Sequence, residues 1–246
     1  MKWIIRHKEI TESTNTDAWK LGMDGFPSGT VCVADAQTSG RGRMDRKWYS
    51  PAGKGLYISA LIRPDIPSSS LGFLSFCAAN AMLAAIQQAG AMSSAIKWPN
   101  DIVCNGKKVC GILSVCNATD EKPRFAVIGA GLNLKRGAYP EELSETAISL
   151  EETGVCVASD KILDSYLTNL ASELDDLERD GFSGVRQRLT ANCITIGREV
   201  FVSGTNSFRG TARDIGEDGG LIIDTDGKEI SLLCGDVSVR GIHGYV

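Results

Sequence analysis

The pattern of apolar runs and the glycine content of the sequence change near Gly197, and this change constrains the fold more than any other feature. Before it, short apolar runs rich in β-branched residues alternate with segments long enough for helices. After it, the final fifty residues hold ten of the 27 glycines and five short strand-like runs. The pattern predicts an α+β domain over residues 1–194, followed by a small β-barrel over residues 195–246.

The first domain is predicted to contain a long buried helix and several strands. Apolar residues recur at three- and four-residue steps over residues 68–89, which predicts a helix, and a second long helix is predicted from Ser159 or Asp160 to Arg179. Asn105-Gly106 predicts a tight hairpin between strands at 101–104 and 107–114. Further strands are predicted at 3–10, 30–36, 55–63 and 124–134, shorter helices at 13–22 and 185–191, and a polar loop at 135–148.

Charge and hydropathy narrow the class of protein. A formal net charge of −4 disfavours a protein that binds nucleic acid through overall basicity. We find no apolar run that approaches the roughly 18 residues needed to cross a bilayer, and the first residues do not resemble a signal peptide. The expected location is therefore the cytoplasm, without a membrane partner.

The positions of the eight cysteines and two histidines argue against a zinc site and against a histidine-centred catalytic triad. None of the cysteines forms a C-x-x-C pair, and most have apolar neighbours, so reduced core thiols are the better interpretation than a zinc site. His7 and His243 both lie near the termini, which makes catalysis by a histidine-centred triad improbable.

A loop at residues 40–48 gathers cations on a backbone that contains two glycines. Glycine lets the backbone approach a ligand closely, and arginine offers planar, bidentate contacts to phosphate. The stretch is neither a Walker loop nor a G-x-G-x-x-G motif, because Asp45 occupies the third glycine position. The loop predicts an anion site, and the alternative is a solvated basic turn. Its cations are Arg41, Arg43, Arg46 and Lys47.

A second basic cluster comprises Lys97, Lys107 and Lys108. Lys108 follows the predicted hairpin on a strand, where a lysine can place its charge on a phosphate or a developing oxyanion. By strand alternation Lys107 and Lys108 face opposite sides, so we expect only one of them in a site. The alternative for Lys108 is a surface lysine.

Three shorter elements carry both a functional and an ordinary interpretation. Asn133 follows the small residues 129–131 near a strand end, and it is either a ligand for phosphate or magnesium or a turn residue. Ser13-Thr14-Asn15 is either a binding element or a helix N-cap. Gln37 is either a polar group at the end of a buried strand or its last solvated residue.

These segments together resemble the biotin protein ligases. The shared elements run in the family's order over about residues 9–134, and the glycine-rich tail is similar to the family's C-terminal SH3-like barrel. The resemblance implies a mixed sheet with helices, related to that of class II aminoacyl-tRNA synthetases. Because Ser13 lies close to Met1, it implies the form without an N-terminal DNA-binding domain. The matching motifs are Ser13-Thr14-Asn15, Gln37 with Gly40-Arg41-Gly42-Arg43, Arg46 and Trp48, Lys97-Trp98-Pro99-Asn100-Asp101, Lys108 with Gly111-Ile112-Leu113, and Gly129-x-Gly131-x-Asn133.

The resemblance also implies the reaction, the cosubstrates and the partner. The biotin carboxylate attacks the α-phosphate of ATP, with Mg²⁺, to give biotinyl-5′-AMP and pyrophosphate. A lysine of the biotin carboxyl carrier domain of a carboxylase then attacks the mixed anhydride, takes the biotin and releases AMP. DNA binding is not implied, and a homodimer is possible. The alternative is a lipoate or octanoate ligase or transferase on the related fold, whose R-R-x-S-G-G-G type of loop is absent here. A non-enzymatic nucleic-acid-binding module is a third hypothesis.

Residue roles follow from the motifs that match. Catalysis is assigned to Lys108, Arg43 and Arg41, and no metal is assigned beyond the Mg²⁺ that accompanies ATP. The chain departs from the family at Asp45, where glycine is usual; aspartate tolerates left-handed geometry, but its charge lowers that of the loop from +4 to +3. Biotin binding is assigned to Ser13, Thr14, Asn15, Gln37, Gly40, Arg41, Lys108 and Gly111, and ATP or adenylate binding to Arg41, Arg43, Arg46, Trp48, Asn100, Lys108 and Asn133.

Overall fold

A computed structural model describes residues 1–119, 122–203, 207–233, 238–241 and 245–246. Two β-sheets and four helices make up this part of the chain, and Cys234 and His243 lie outside it. The helices are α1 (Thr14–Met23), α2 (Phe73–Gln88), α3 (Ser159–Asp180) and α4 (Phe182–Ala191). The strands of the first sheet are β1 (Ile4–Thr11), β2 (Thr30–Gln37), β3 (Gly55–Ile62), β4 (Ser94–Lys97), β5 (Asp101–Cys104), β6 (Lys107–Ala118) and β7 (Pro123–Asn133).

The first sheet is mixed, as the resemblance to the biotin protein ligases implies. Its seven strands lie in the order β1-β2-β3-β7-β6-β5-β4, and β1 is parallel to β2 while the other pairs are antiparallel. Strand β4 is not predicted from the sequence, because four residues are too few for an alternating pattern to be visible. The predicted hairpin is present, and Asn105 and Gly106 both have positive φ, as a type I′ turn requires.

Helices cover the two faces of this sheet unequally. Helices α2, α3 and α4 bury one face in the main core, whereas α1 packs on the other face against β2, β3 and β7. The small cluster under α1 includes Ala18, Cys32, Leu61 and Val127. Because α1 has only ten residues, it leaves an open area over the central strands, and the site described below lies there.

The segment Ser68–Gln88 corrects one expectation from the sequence. By length and composition alone it would suffice to cross a membrane, whereas no apolar run of that length was expected from the sequence. In the structure it forms a 3₁₀ turn (Ser68–Ser70) and α2, and 61% of its most apolar 18-residue stretch is buried inside the protein. The residues from Leu74 to Ile86 contribute heavily to the main core, so the segment is the core helix that its apolar stripe predicts.

The second sheet follows α4 and is antiparallel, in the order β11-β10-β9-β8-β12. None of the strand pairings among the described residues joins β11 to β12, so the described strands form an open sheet. It packs against the first part of the chain, because the buried side chains of Val200 and Val239 belong to the main core and Trp98 Nε1 donates to the Gly219 carbonyl at 3.1 Å. Its strands are β8 (Glu199–Ser203), β9 (Phe208–Ile215), β10 (Leu221–Thr225), β11 (Lys228–Leu232) and β12 (Ser238–Gly241).

Candidate active site

A cavity of about 400 Å³ lies over β3, β6 and β7, beside the N-terminus of α1. Its walls come from α1, from the loop at residues 40–48, from residues 138–147 and from the C-terminal sheet. The cavity brings together all but one of the residues assigned from the sequence, and the exception is Gly40. The assigned residues in its walls are Ser13, Thr14, Asn15, Gln37, Arg41, Arg43, Arg46, Trp48, Asn100, Lys108, Gly111 and Asn133.

One end of the cavity is built from small, neutral polar groups. Gln37, the last residue of β2, accepts from the backbone N–H of Thr14 at 2.8 Å and lies 3.2 Å from the Thr14 hydroxyl. Its amide nitrogen donates to Ser50 Oγ at 2.8 Å. Ser13 occupies the N-cap position of α1 without making a side-chain capping bond. The side chains of Thr14, Gln37 and Ser50 are therefore held by one another before any ligand arrives.

Ser59 belongs to this neutral end, although the sequence analysis did not single it out. Its side chain is fully buried on β3, and its Oγ lies 2.5 Å from Asn15 Oδ1 and 2.8 Å from Thr14 Oγ1. The signal was a serine inside an otherwise apolar strand, because a buried hydroxyl needs a partner. Gly129 on β7 lies opposite, and a Cβ there would overlap Asn15 Oδ1. We refer to Thr14, Asn15, Gln37 and Ser59 as the neutral end.

The loop at residues 40–48 forms a tight hairpin, which we call the arginine hairpin. Arg41 pairs with Lys47, and the N–H of Gly42 donates to the Arg46 carbonyl at 2.7 Å. Met44 and Asp45 have φ values of 55° and 56°, so both central residues are left-handed, as in a type I′ turn. Asp45 therefore adopts the conformation that glycine usually supplies at this position.

Gly40 supports this hairpin from outside the cavity. The N–H of Trp48 donates to the Gly40 carbonyl at 2.8 Å. A Cβ at Gly40 would overlap the Trp48 carbonyl oxygen and crowd Ser50 Oγ. Packing therefore explains why position 40 is a glycine. The ligand contact assigned to Gly40 stays a prediction.

The arginine side chains differ in how they are held. Arg43 Nη1 donates to Asn100 Oδ1 at 3.1 Å, and Asn100 Nδ2 in turn donates to the Ile112 carbonyl at 2.7 Å. Asn100 thus ties the hairpin to β6. Arg41 and Arg46 are exposed, so long cationic side chains stand at the mouth of the cavity. We refer to Arg41, Arg43, Arg46 and Lys108 as the cationic end.

Trp48 lies on a floor of glycines between the two ends. A Cβ at Gly111 or at Gly131 would overlap or crowd the indole ring, so only glycine at these positions admits the ring there. Lys108 Nζ lies 5.2 Å from the centroid of the same ring, which is within the range of a cation–π contact.

Lys108 is held by its backbone and by its side chain. Its N–H donates to the Thr146 carbonyl at 2.7 Å, and its carbonyl accepts from Ile148 at 2.9 Å. The side-chain Nζ lies 2.5 Å from Asp101 Oδ1. Lys107 points away, is not part of the cavity wall and donates to the Ser144 carbonyl at 2.7 Å. Residues 146–148, predicted as part of a polar loop, thus pair with β6 and help to place Lys108.

Lys97 has a different environment from the one that its basic neighbours imply in the sequence. It is buried, and its Nζ donates to the Val239 carbonyl of β12 at 2.9 Å. Burial lowers the pKa of Lys97 to about 8, with the nearby charge of Asp101 opposing that shift and the charge of Lys108 adding to it. Lys97 therefore links the C-terminal sheet to the cavity. The three lysines of the second basic cluster thus have different environments: Lys97 is buried against β12, Lys107 lies outside the cavity, and Lys108 pairs with Asp101 in the cavity wall.

Asp101 and Asn133 complete the wall near Lys108. Burial alone raises the pKa of Asp101, but the charges of Lys108 and Lys97 outweigh it and hold the pKa below its usual value. Asn133, at the end of β7, donates through Nδ2 to the Ile148 carbonyl at 3.1 Å. Its contact with nucleotide or Mg²⁺ stays a prediction.

The described residues contain no group of three or more histidine, cysteine, aspartate or glutamate side chains placed to hold a metal ion. Asp101, a carboxylate of the cavity wall, is engaged by Lys108 and by the hydroxyl of Tyr245. This donor set suits a Mg²⁺ ion held mainly by the phosphates of a nucleotide and by water.

Two family models match the chain. The Biotin/lipoate A/B protein ligase family matches residues 8–133, which include the walls contributed by α1, the arginine hairpin and β3 to β7. The Biotin protein ligase C terminal domain matches residues 195–240, which contain most of the second sheet.

Individual relatives cover most of the chain. The Bifunctional ligase/repressor BirA of Bacillus subtilis is 34% identical over 96% of this chain and 74% of its own length. The Biotin--[acetyl-CoA-carboxylase] ligase of Mycobacterium tuberculosis is 33% identical over 92% of this chain and 85% of its own length. Among solved structures, the biotin protein ligase of Aquifex aeolicus in complex with biotin and ATP has a TM-score of 0.84 and 28% identity, and covers 96% of this chain and 98% of that one.

Proposed function

The chain belongs to the biotin/lipoate A/B protein ligase family and is a biotin protein ligase, and we propose that the two ends of its cavity divide the reaction between them. ATP activates biotin as biotinyl-5′-AMP, and the biotin then passes to a lysine of a biotin carboxyl carrier protein. The observation that carries this division is a single cavity in which buried neutral groups adjoin Lys108 and the arginine hairpin.

The neutral end binds the ring system of biotin. An uncharged ring with hydrogen-bonding groups is recognised by fixed donors and acceptors that would be left unpaired by a wrong ligand. Thr14, Asn15 and Gln37 are already oriented by Ser59 and Ser50, so little ordering remains to be done on binding. Ser13 and Gly111 line the same space, and Gly111 leaves room on the floor.

The cationic end binds the triphosphate and brings it to the carboxylate of biotin. Two anions repel each other, so the site must supply positive charge and hold both reacting atoms in place. Lys108 contacts the carboxylate and the α-phosphate as charge develops, while the arginine hairpin neutralises phosphates and, with Trp48, covers the adenylate. Asn100 holds Arg43, and Asn133 contacts the nucleotide. Mg²⁺, when bound with ATP, supplies further charge neutralisation.

Several finer features belong to the same proposal. We assign residues 1–194 to the catalytic domain and residues 195–246 to an SH3-like barrel, which the antiparallel order of β8 to β12 supports. We also propose that the enzyme acts in the cytoplasm and binds no DNA, and a homodimer is the oligomeric state to be tested. Analytical ultracentrifugation with and without biotin and ATP tests the oligomeric state.

Intact mass measurement tests the proposed function. The protein is incubated with ATP, Mg²⁺, biotin and a biotin carboxyl carrier domain, and the expected result is a carrier heavier by one biotinyl group. A carrier variant in which the acceptor lysine is arginine is the control and should stay unmodified. A carrier of unchanged mass in the presence of active reagents would overturn the function. Calorimetry with biotin and with lipoate distinguishes the related ligase class, and we expect heat only with biotin.

A further inference from the structure

We propose that Tyr245 is a positioning residue for the adenylation step, acting through Asp101 and Lys97 on Lys108. Tyr245 lies beyond β12, and its side chain lines the cavity beside residues that are far away in the sequence. The inference rests on the proposed function of Lys108, and it gives the C-terminal sheet a defined part in catalysis.

The hydroxyl of Tyr245 completes the hydrogen bonding of a buried carboxylate. It donates to Asp101 Oδ2, while Lys108 Nζ lies 2.5 Å from the other oxygen, Oδ1. Asp101 is only 9% exposed, so water has little access to replace either partner. A buried carboxylate must be satisfied by such partners, and its negative charge is thus shared between a phenol and an ammonium group.

The ring of Tyr245 contacts the second buried charge of the site. Lys97 Nζ lies 4.2 Å from the ring centroid and donates to the Val239 carbonyl at 2.9 Å. Both partners of Lys97 therefore come from the C-terminal part of the chain, and Tyr245 contacts Lys97 and Asp101 together. Burial and the nearby charge of Asp101 raise the pKa of the Tyr245 phenol, while the charges of Arg240 and Arg46 partly oppose this rise. The phenol therefore stays protonated and remains a hydrogen-bond donor.

This arrangement controls how tightly Asp101 holds Lys108. If the phenolic hydroxyl is absent, Asp101 loses one of its two strong partners and attracts Lys108 more strongly. Lys108 must leave or share this ion pair to contact the α-phosphate, so a tighter pair raises the barrier to adenylation. The contacts of the neutral end, some of which lie across the cavity on α1 and β3, stay unchanged.

A double-mutant cycle with Tyr245→Phe and Asp101→Asn tests the proposal, read by pyrophosphate release during adenylation. We expect Tyr245→Phe to lower kcat roughly tenfold and to leave KM for biotin within about twofold of the parent, since one hydrogen bond to a charged group is lost. In the Asp101→Asn background the same change should have no further effect on kcat, because the carboxylate through which it acts is gone.

The matched control is Tyr166→Phe, which removes a phenolic hydroxyl from the buried core away from the cavity and should leave kcat unchanged. The proposal is overturned if Tyr245→Phe keeps the parental kcat, if its effect is additive with Asp101→Asn, or if kcat falls only together with the melting temperature. Parent protein that makes no biotinyl-AMP would instead contradict the proposed function.

Discussion

The two ends of the cavity are built in opposite ways. At the neutral end, side chains from α1, β2 and β3 hold one another in a network in which Thr14, Asn15 and Ser59 are buried and Gln37 is half-buried, and none of the four carries a charge. At the cationic end, long side chains from a hairpin stand partly exposed, and Asn100 anchors one of them, Arg43. The same cavity thus combines a rigid half and a half whose groups have room to rearrange.

The difference fits the chemistry of the ligands that we propose for the two ends. A site distinguishes one neutral ring from another through hydrogen bonds whose donors and acceptors are aligned in advance. An unpaired buried polar group costs more free energy than a single hydrogen bond contributes. Phosphate binding depends on charge, which acts over a longer distance and tolerates movement, and a mobile cover admits substrate and then excludes water. Substitutions at the two ends should therefore change different kinetic constants.

The largest effect is expected from Lys108→Ala at the cationic end. Loss of this charge should lower the rate of adenylation by about 10²–10³, by analogy with the loss of one electrostatic donor in a preorganised site. Single-turnover pyrophosphate release measures it, and Lys107→Ala is the matched control because Lys107 lies outside the cavity. Near-normal release by the Lys108 variant would remove this residue from the mechanism.

The second largest effect is expected from Gly129→Ala at the neutral end. The added Cβ would overlap Asn15 Oδ1 and force Asn15 away from Ser59. We expect the Kd for biotin to rise roughly 10- to 100-fold while the chemical step at saturation changes little, because buried hydrogen bonds are lost. Titration calorimetry measures the Kd. Gly72→Ala, with open space around its Cβ position, should bind biotin normally; equal affinity of both variants would argue against a preorganised neutral end.

Arg43→Gly should affect retention of the adenylate rather than binding of biotin. It removes a cation and the bond to Asn100 that anchors the hairpin. Dissociation of biotinyl-AMP should accelerate roughly tenfold, the effect of about one charge-assisted hydrogen bond. Stopped-flow or filter-binding measurements of dissociation test this, with the exposed Arg198 changed to glycine as the control. An unchanged dissociation rate would count against closure of the hairpin over the product.

The smallest effect is expected from Asp45→Gly within the same hairpin. Glycine relieves the left-handed φ of 56° and restores a loop charge of +4, so dissociation of biotinyl-AMP should slow by about two- to threefold. Asp45→Asn removes the charge but keeps a side chain that tolerates this conformation, and it separates the two contributions. If neither variant slows dissociation, Asp45 does not weaken the cationic end.

Local patterns in the sequence were sufficient for the elements whose conformation is decided by near neighbours. The Asn105-Gly106 turn and the position of Lys108 on a strand depend on φ preferences and strand alternation within a few residues. At residues 40–48 the sequence predicted a cationic loop, and its hairpin pairing became visible only in the structure. The amphipathic stripe likewise predicted α2, although its apolar length was underestimated. The strand β4 was missed because four residues carry too little periodic signal.

Contacts between distant residues were decided only by the tertiary structure. Ser59 meets Asn15 across 44 positions, Tyr245 meets Asp101 across 144, and Lys97 reaches Val239 across 142. The sequence by itself determined which residues carry charge, which segments form helices and strands, and where the family's motifs lie. Which of those charges are buried, paired or open to a ligand depended on how the sheets pack, because burial and pairing are properties of the space around a side chain and not of its neighbours in the chain.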